Sequence, residues 1–127
     1  MISFEGDTGP YLAYAHARIR SIFRRLNEPF AASSVAWSLD DAAARHLALG
    51  LLALPEALDA TLNTLQPHRL CTYLFDLAQR FTSFYEACPV LSATGSLRDE
   101  RLALCDVSAR TLALGLSLLG IDAPERM

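Results

Sequence analysis

Tyrosine and arginine side chains crowd the start of this chain. Tyr11 and Tyr14 are followed by Arg18, Arg20, Arg24 and Arg25, with no acid between the first and last of these arginines. A tyrosine ring offers a flat face on which a nucleobase can stack, and a guanidinium offers a forked donor to a phosphate. Set a few turns apart on one helix, these residues suit a partner made of flat bases and phosphates. Arg80, further along, is another candidate for a phosphate contact. The alternative is an amphipathic helix with half-buried tyrosines, hydroxyls satisfied at the rim, and arginines in water. Residue types alone leave both open.

Other chemistries find little support. His16, His46 and His68 lie far apart, with no carboxylate or cysteine at metal-ligand spacing. Cys71, Cys88 and Cys105 are odd in number and form no CxxC pair, so reduced thiols within or at the ends of helices are expected, not a disulfide framework or a zinc site. No glycine-rich phosphate loop, HExxH or nucleophile elbow occurs. No catalytic residue, metal ligand or cofactor is assigned. The formal net charge is −3 and the pI about 5.5, which excludes a global basic field drawing in nucleic acid. All 11 basic residues are arginine. RNA binding would have to come from a local patch, and Arg18 to Arg25 is the densest. No charged-then-apolar leader and no bilayer-length apolar run is present, so a cytoplasmic protein without a membrane partner is expected.

The elements that must position these residues read as helices. The chain has 127 residues, 52% of them hydrophobic, with 6 glycines and 6 prolines. Asp7-Thr8-Gly9-Pro10 has the make-up of a turn entering a helix, predicted to run to about Leu26 with Leu12, Ala15, Ile19, Ile22 and Phe23 inward. A loop over about 27–39 should tuck Phe30, Val35 and Trp37 back onto the body. A second helix, over about 40–53, takes Ser38 or Asp40 as its cap. A third follows over about 55–65 from Pro55, and a fourth over about 68–87 with Leu70, Leu74, Leu77, Ala78, Phe81 and Phe84 as its stripe. Ser96 with Asp99 reads as a capping box for a fifth over about 97–119, apolar on two faces and so central, stopped by Gly120. The expectation is an all-α, five-helix bundle forming one domain over 1–127.

Three stretches carry a family resemblance: FEGDTGPYLAYAHARIRSIFRR, HRLCTYLFDLAQRFTSFYEACPVL and RLALCDVSARTLALGLSLLGIDAPERM. In order and spacing they resemble the C-terminal anticodon-binding (DALR) domain of class I arginyl-tRNA synthetase. By that resemblance, Tyr11 and Tyr14, Tyr85, and the closing Met127 beside Arg126 converge on the anticodon bases. The Gly6-Asp7-Thr8-Gly9 turn resembles the family loop that shapes the anticodon. Ala13 stands where the family pattern GPYLQYAHAR has glutamine, which would remove a polar contact there. The implied partner is the anticodon stem-loop of arginine tRNA. Every arginine codon has a central G, so one pocket for one extruded cytosine serves every isoacceptor. The implied activity is support of aminoacylation once joined to a catalytic domain, because the HIGH and KMSKS sequences of a class I synthetase do not occur in this chain. A synthetase fragment and a free-standing paralogue both fit. The latter would act as a protein-interaction or accessory subunit of a synthetase-like or tRNA-dependent enzyme.

Overall fold

Apolar residues recur at helical spacing through most of the chain, and the computed structural model forms helices wherever they do. It describes residues 8–26, 30 and 35–123. Among these lie five helices: α1 (Thr8–Leu26), α2 (Ala42–Leu52), α3 (Leu54–Thr64), α4 (Pro67–Ala87) and α5 (Gly95–Leu118). Each runs close to its predicted span. Helix α1 takes in Thr8 and Gly9 ahead of Pro10, which is tolerated because amides of a first turn have no intrahelical partner.

Helices α2 and α3 are separated by Ala53 alone. Pro55 has no amide to give the carbonyl four residues back, so the α2 ladder cannot run through it. Ala53 closes α2 with a bond from its amide to the Gly50 carbonyl, 3.3 Å. Leu65, left-handed at φ 53°, ends α3, and Pro67 opens α4. Gly120, at φ 79°, ends α5 as expected. Its amide donates to the Ser117 carbonyl at 3.0 Å and that of Ile121 to Leu116 at 2.8 Å, the paired bonds of a Schellman turn.

Two caps differ from the sequence reading. Asp41, not Ser38 or Asp40, caps α2, its carboxylate accepting from the Ala43 amide at 2.8 Å. Ser38 is bonded elsewhere, to Glu100. Helix α5 begins at Gly95 behind Thr94, with no side-chain cap bond, so the expected Ser96–Asp99 box falls inside the first turn.

Helix α5 packs on α1, α2 and α4, and α4 also holds α1, α2 and α3, so these two form the centre. Leu12, Ile19, Ile22, Leu47, Leu74, Leu77, Phe84, Leu102, Leu112 and Leu116 fill the core. Glycines set two close crossings. A Cβ on Gly115 would lie 2.6 Å from Leu74 Cδ2, and one on Gly50 would lie 2.7 Å from Arg80 Cδ. Phe30 rests 6.0 Å from the Phe23 ring, as the inward reading of the loop requires. Trp37 does not tuck in fully: it is 52% exposed. Its neighbours Ser38 and Leu39 are drawn onto α5 instead, which leaves the indole at the rim.

Candidate nucleic-acid interface

Helices α1 and α4 bring together the aromatic and arginine residues singled out in the sequence. On α1, Tyr11 is half-buried, its ring 5.0 Å from Phe75 of α4. Tyr14, one turn closer to solvent, is 53% exposed. Arg18 follows at the next helical step and reaches across to α4, its Cζ 5.7 Å from the centroid of the Tyr85 ring. Tyr85 is half-buried and lies 15° from parallel to buried Phe81, with centroids 5.9 Å apart. The helical repeat explains the set: Tyr11, Tyr14 and Arg18 share a face of α1 at i, i+3 and i+7, and Phe81 and Tyr85 are one turn apart on α4. Beside them, Tyr14, Ala17, Arg18, Ser21 and Arg24 line a depression of about 150 Å³. The Ser21 hydroxyl donates to the Arg18 carbonyl at 2.6 Å.

The remaining arginines divide by what holds them. Arg20 reaches Asp106 of α5 at 3.6 Å and lies 5.1 Å from the Phe23 centroid, tying α1 to α5. Asp106 also holds Arg110 at 3.0 Å. Arg80 is placed with α2, away from the tyrosine group. Its Nε donates to Asp76 at 2.8 Å and its Nη1 to the His46 carbonyl at 2.7 Å. Tyr73 sits at the same crossing, its hydroxyl donating to the Gly50 carbonyl at 2.6 Å, and burial pushes its pKa up to about 12.

Ala13, in place of the expected glutamine, is buried. Gly6, Asp7, Arg126 and Met127 lie outside the described residues. Ile121 nevertheless shows where the tail begins: its Cδ1 stands 3.3 Å from the place a Cβ on Gly9 would take. The segment just after α5 therefore meets the start of α1, two residues from Tyr11.

The thiols are structural. Cys71, Cys88 and Cys105 are all free and buried. Burial raises each of their pKa values, to about 11 for Cys88 and about 12 for Cys105, so none is a ready nucleophile. No three His, Cys, Asp or Glu side chains converge on a metal position among the described residues.

The sequence reading missed Glu100. It is 2% exposed, yet its Oε1 accepts from the Ser38 amide at 2.6 Å, the Leu39 amide at 2.8 Å and the Ser38 hydroxyl at 3.3 Å. The signal was an acid four residues before Leu104, on an otherwise apolar stripe. Beyond this latch, Trp37, Leu39, Ala48, Leu51, Leu52, Leu104 and Val107 line an apolar groove of about 260 Å³ between α2 and α5.

Fold and surface together define an all-helical domain with an aromatic and arginine face built on its first and fourth helices. The chain belongs to the DALR anticodon binding domain family, which it matches over residues 12–127. It is 57% identical over its whole length to an arginine–tRNA ligase of Frankia casuarinae, and 53% identical to that of Thermobifida fusca. Among solved structures it is similar to the arginyl-tRNA synthetase of Thermus thermophilus, with a TM-score of 0.86, 46% identity and 98% of this chain covered. A Plasmodium falciparum arginyl-tRNA synthetase gives a TM-score of 0.81 at 31% identity over 97% of the chain. The chain spans about a fifth of these proteins: 21% and 22% of the two ligases, and 22% of each solved chain. No helix among the described residues is long and apolar enough to cross a membrane.

Proposed function

We propose that this domain binds the anticodon stem-loop of arginine tRNA and reads the central cytosine of the anticodon. The observation that carries the reading is the Tyr85 ring, backed by Phe81 and topped by Arg18, with exposed Tyr14 beside it. Extruded loop bases are read by stacking and by hydrogen bonds to their edges, and such a ring beside a guanidinium provides for stacking and phosphate contact together. Tyr11, packed on Phe75, supports the face from below. Arg126 and Met127, which lie outside the described residues, are assigned to the same bases by the family resemblance alone. Arg80, expected as a further phosphate contact, is bound to Asp76 and the His46 carbonyl at the α2–α4 crossing, apart from the tyrosine group.

In this reading the domain orients tRNA for the catalytic domain of a longer arginyl-tRNA synthetase, and performs no chemistry itself. The length of the relatives supports this, as does the apolar α2–α5 groove, which suits a neighbouring domain. The same groove favours a second reading, an accessory subunit for a synthetase-like enzyme.

The test is binding of the purified chain to arginine tRNA at low and high salt, beside a tRNA with a changed central anticodon base. Affinity that falls with salt and with the base change supports anticodon reading. Equal affinity for both tRNAs refutes base reading. No binding at low salt turns the case toward the accessory subunit.

A further inference from the structure

Tyr85 is half-buried, and its ring has two close neighbours. Buried Phe81 lies parallel to the ring at 5.9 Å, while the guanidinium of exposed Arg18 lies over it, Cζ 5.7 Å from the centroid. A guanidinium is planar, cationic and weakly hydrated, so it settles on an aromatic face much as a base does. A base cannot occupy the same place. Arg18 is held differently from its neighbours: Asp106 anchors Arg20, and Asp76 with the His46 carbonyl anchors Arg80. Arg18 meets a ring, a contact weaker than a buried ion pair and easily exchanged. Arg18 also lines the shallow depression that it shares with Tyr14, Ala17, Ser21 and Arg24 on the α1 surface.

We propose that Arg18 is a placeholder on Tyr85. In the free protein its guanidinium covers the ring. When RNA binds, a base takes the ring and Arg18 swings along α1 to a backbone phosphate beside the Tyr14–Arg24 depression. This rests on the RNA reading and adds a mechanism to it. One side chain protects an exposed aromatic surface in the free state and becomes a charge contact in the bound state. Binding then couples stacking to phosphate recognition, because the ring is vacated only as the arginine finds a new partner.

The experiment uses the 127-residue chain and the anticodon stem-loop of arginine tRNA. In the free protein, the Arg18 side-chain protons should show an upfield NMR shift from the Tyr85 ring current, lost in Tyr85→Leu. On addition of the stem-loop, that shift should disappear in the wild type as the Tyr85 ring resonances move. Arg18→Gln, at an exposed position, should fold normally and lower the slope of log K against log salt by about 0.7, one phosphate contact on a single strand. At high salt, where the phosphate contact is screened, Arg18→Gln should bind up to about threefold tighter than wild type, since its ring is already uncovered. Arg18 protons that stay ring-shifted in the complex overturn the placeholder while leaving RNA binding intact. Weaker binding of Arg18→Gln at every salt concentration, with an unchanged slope, overturns it too. A wild-type chain that fails to bind the stem-loop at low salt overturns the RNA reading and the placeholder together.

Discussion

Removing the Glu100 carboxylate should loosen the α1–α2 connection and much of the fold with it. One oxygen, Oε1, accepts three bonds: 2.6 Å from the Ser38 amide, 2.8 Å from the Leu39 amide and 3.3 Å from the Ser38 hydroxyl. These bonds hold Leu39 at φ 53°, a left-handed conformation that costs a branched residue about 1–2 kcal/mol. Arg45 grips the other side of the turn, its Nη1 donating to the carbonyls of Leu39 at 2.9 Å and Asp40 at 2.7 Å. Glu100→Ala leaves two amides without an acceptor at about 1–2 kcal/mol each, because water reaches this part-buried site, and a loss of about 3 kcal/mol results. Glu100→Gln keeps an oxygen in place and loses only the charge assistance, about 1 kcal/mol. Glu100→Leu fills the volume but gives the amides no acceptor, so it should resemble alanine. The assay is urea unfolding followed by tryptophan fluorescence, since Trp37 is the only tryptophan and adjoins Ser38. With a slope of about 1.5 kcal/mol per molar urea, the alanine variant's midpoint should fall by about 2 M. A Glu100→Leu protein as stable as wild type would refute the reasoning, because the site would then value volume and not an acceptor.

Three further outcomes follow from the packing and the face. Tyr85→Ala should weaken binding of the stem-loop by about 5- to 150-fold, the range of one lost stacking contact, and leave the domain folded. Leu112→Ala, at a fully buried position, should instead cost about 2–5 kcal/mol of stability; both are read from paired titration and urea curves. The thiol of Cys88 and the Ala43 amide hydrogen-bond to the Asp41 carboxylate and hold its pKa below the ordinary 3.8. A lowered folded-state pKa stabilises at pH values above 3.8, and the gain is lost as pH falls through the folded value. Asp41→Asn should therefore lower the melting temperature near neutral pH by a margin that shrinks below pH about 4; a margin that grows there refutes the sign. Cys71, Cys88 and Cys105 should stay unlabelled by a thiol reagent near pH 8 in the native protein and all react in urea; rapid native labelling would contradict their burial.

The helices were legible because their signal is local. Leu70, Leu74, Leu77, Ala78, Phe81 and Phe84 recur at helical spacing, and all six are buried. Pro55, Pro67 and Gly120 mark boundaries that hold whatever packs around them. The caps were less legible, because a cap is chosen by competition. Ser38 has the right chemistry for α2, but Glu100, 62 residues away, takes its amide and hydroxyl, and Asp41 caps instead. Trp37 shows the same limit: an apolar residue in a loop reads as packed, yet pinning its neighbours to α5 leaves it at the rim of the groove.

The arginines make the sharper case. In sequence, Arg18, Arg20 and Arg80 carry the same charge and the same claim on a phosphate. Their partners separate them. Arg20 is drawn to Asp106, and Arg80 to Asp76 and a carbonyl of α2, both ties made between helices or along one. Such charges stabilise the bundle, and moving them to a ligand would cost the contacts they leave. Arg18 rests on a ring at the surface, where exchange is easy. On the proposed reading, a chain of net charge −3 offers a nucleic-acid face without a basic field. In the proposed RNA reading, what matters is which cation is released where a base stacks, and α1 and α4 bring Arg18 to 5.7 Å from the Tyr85 ring centroid.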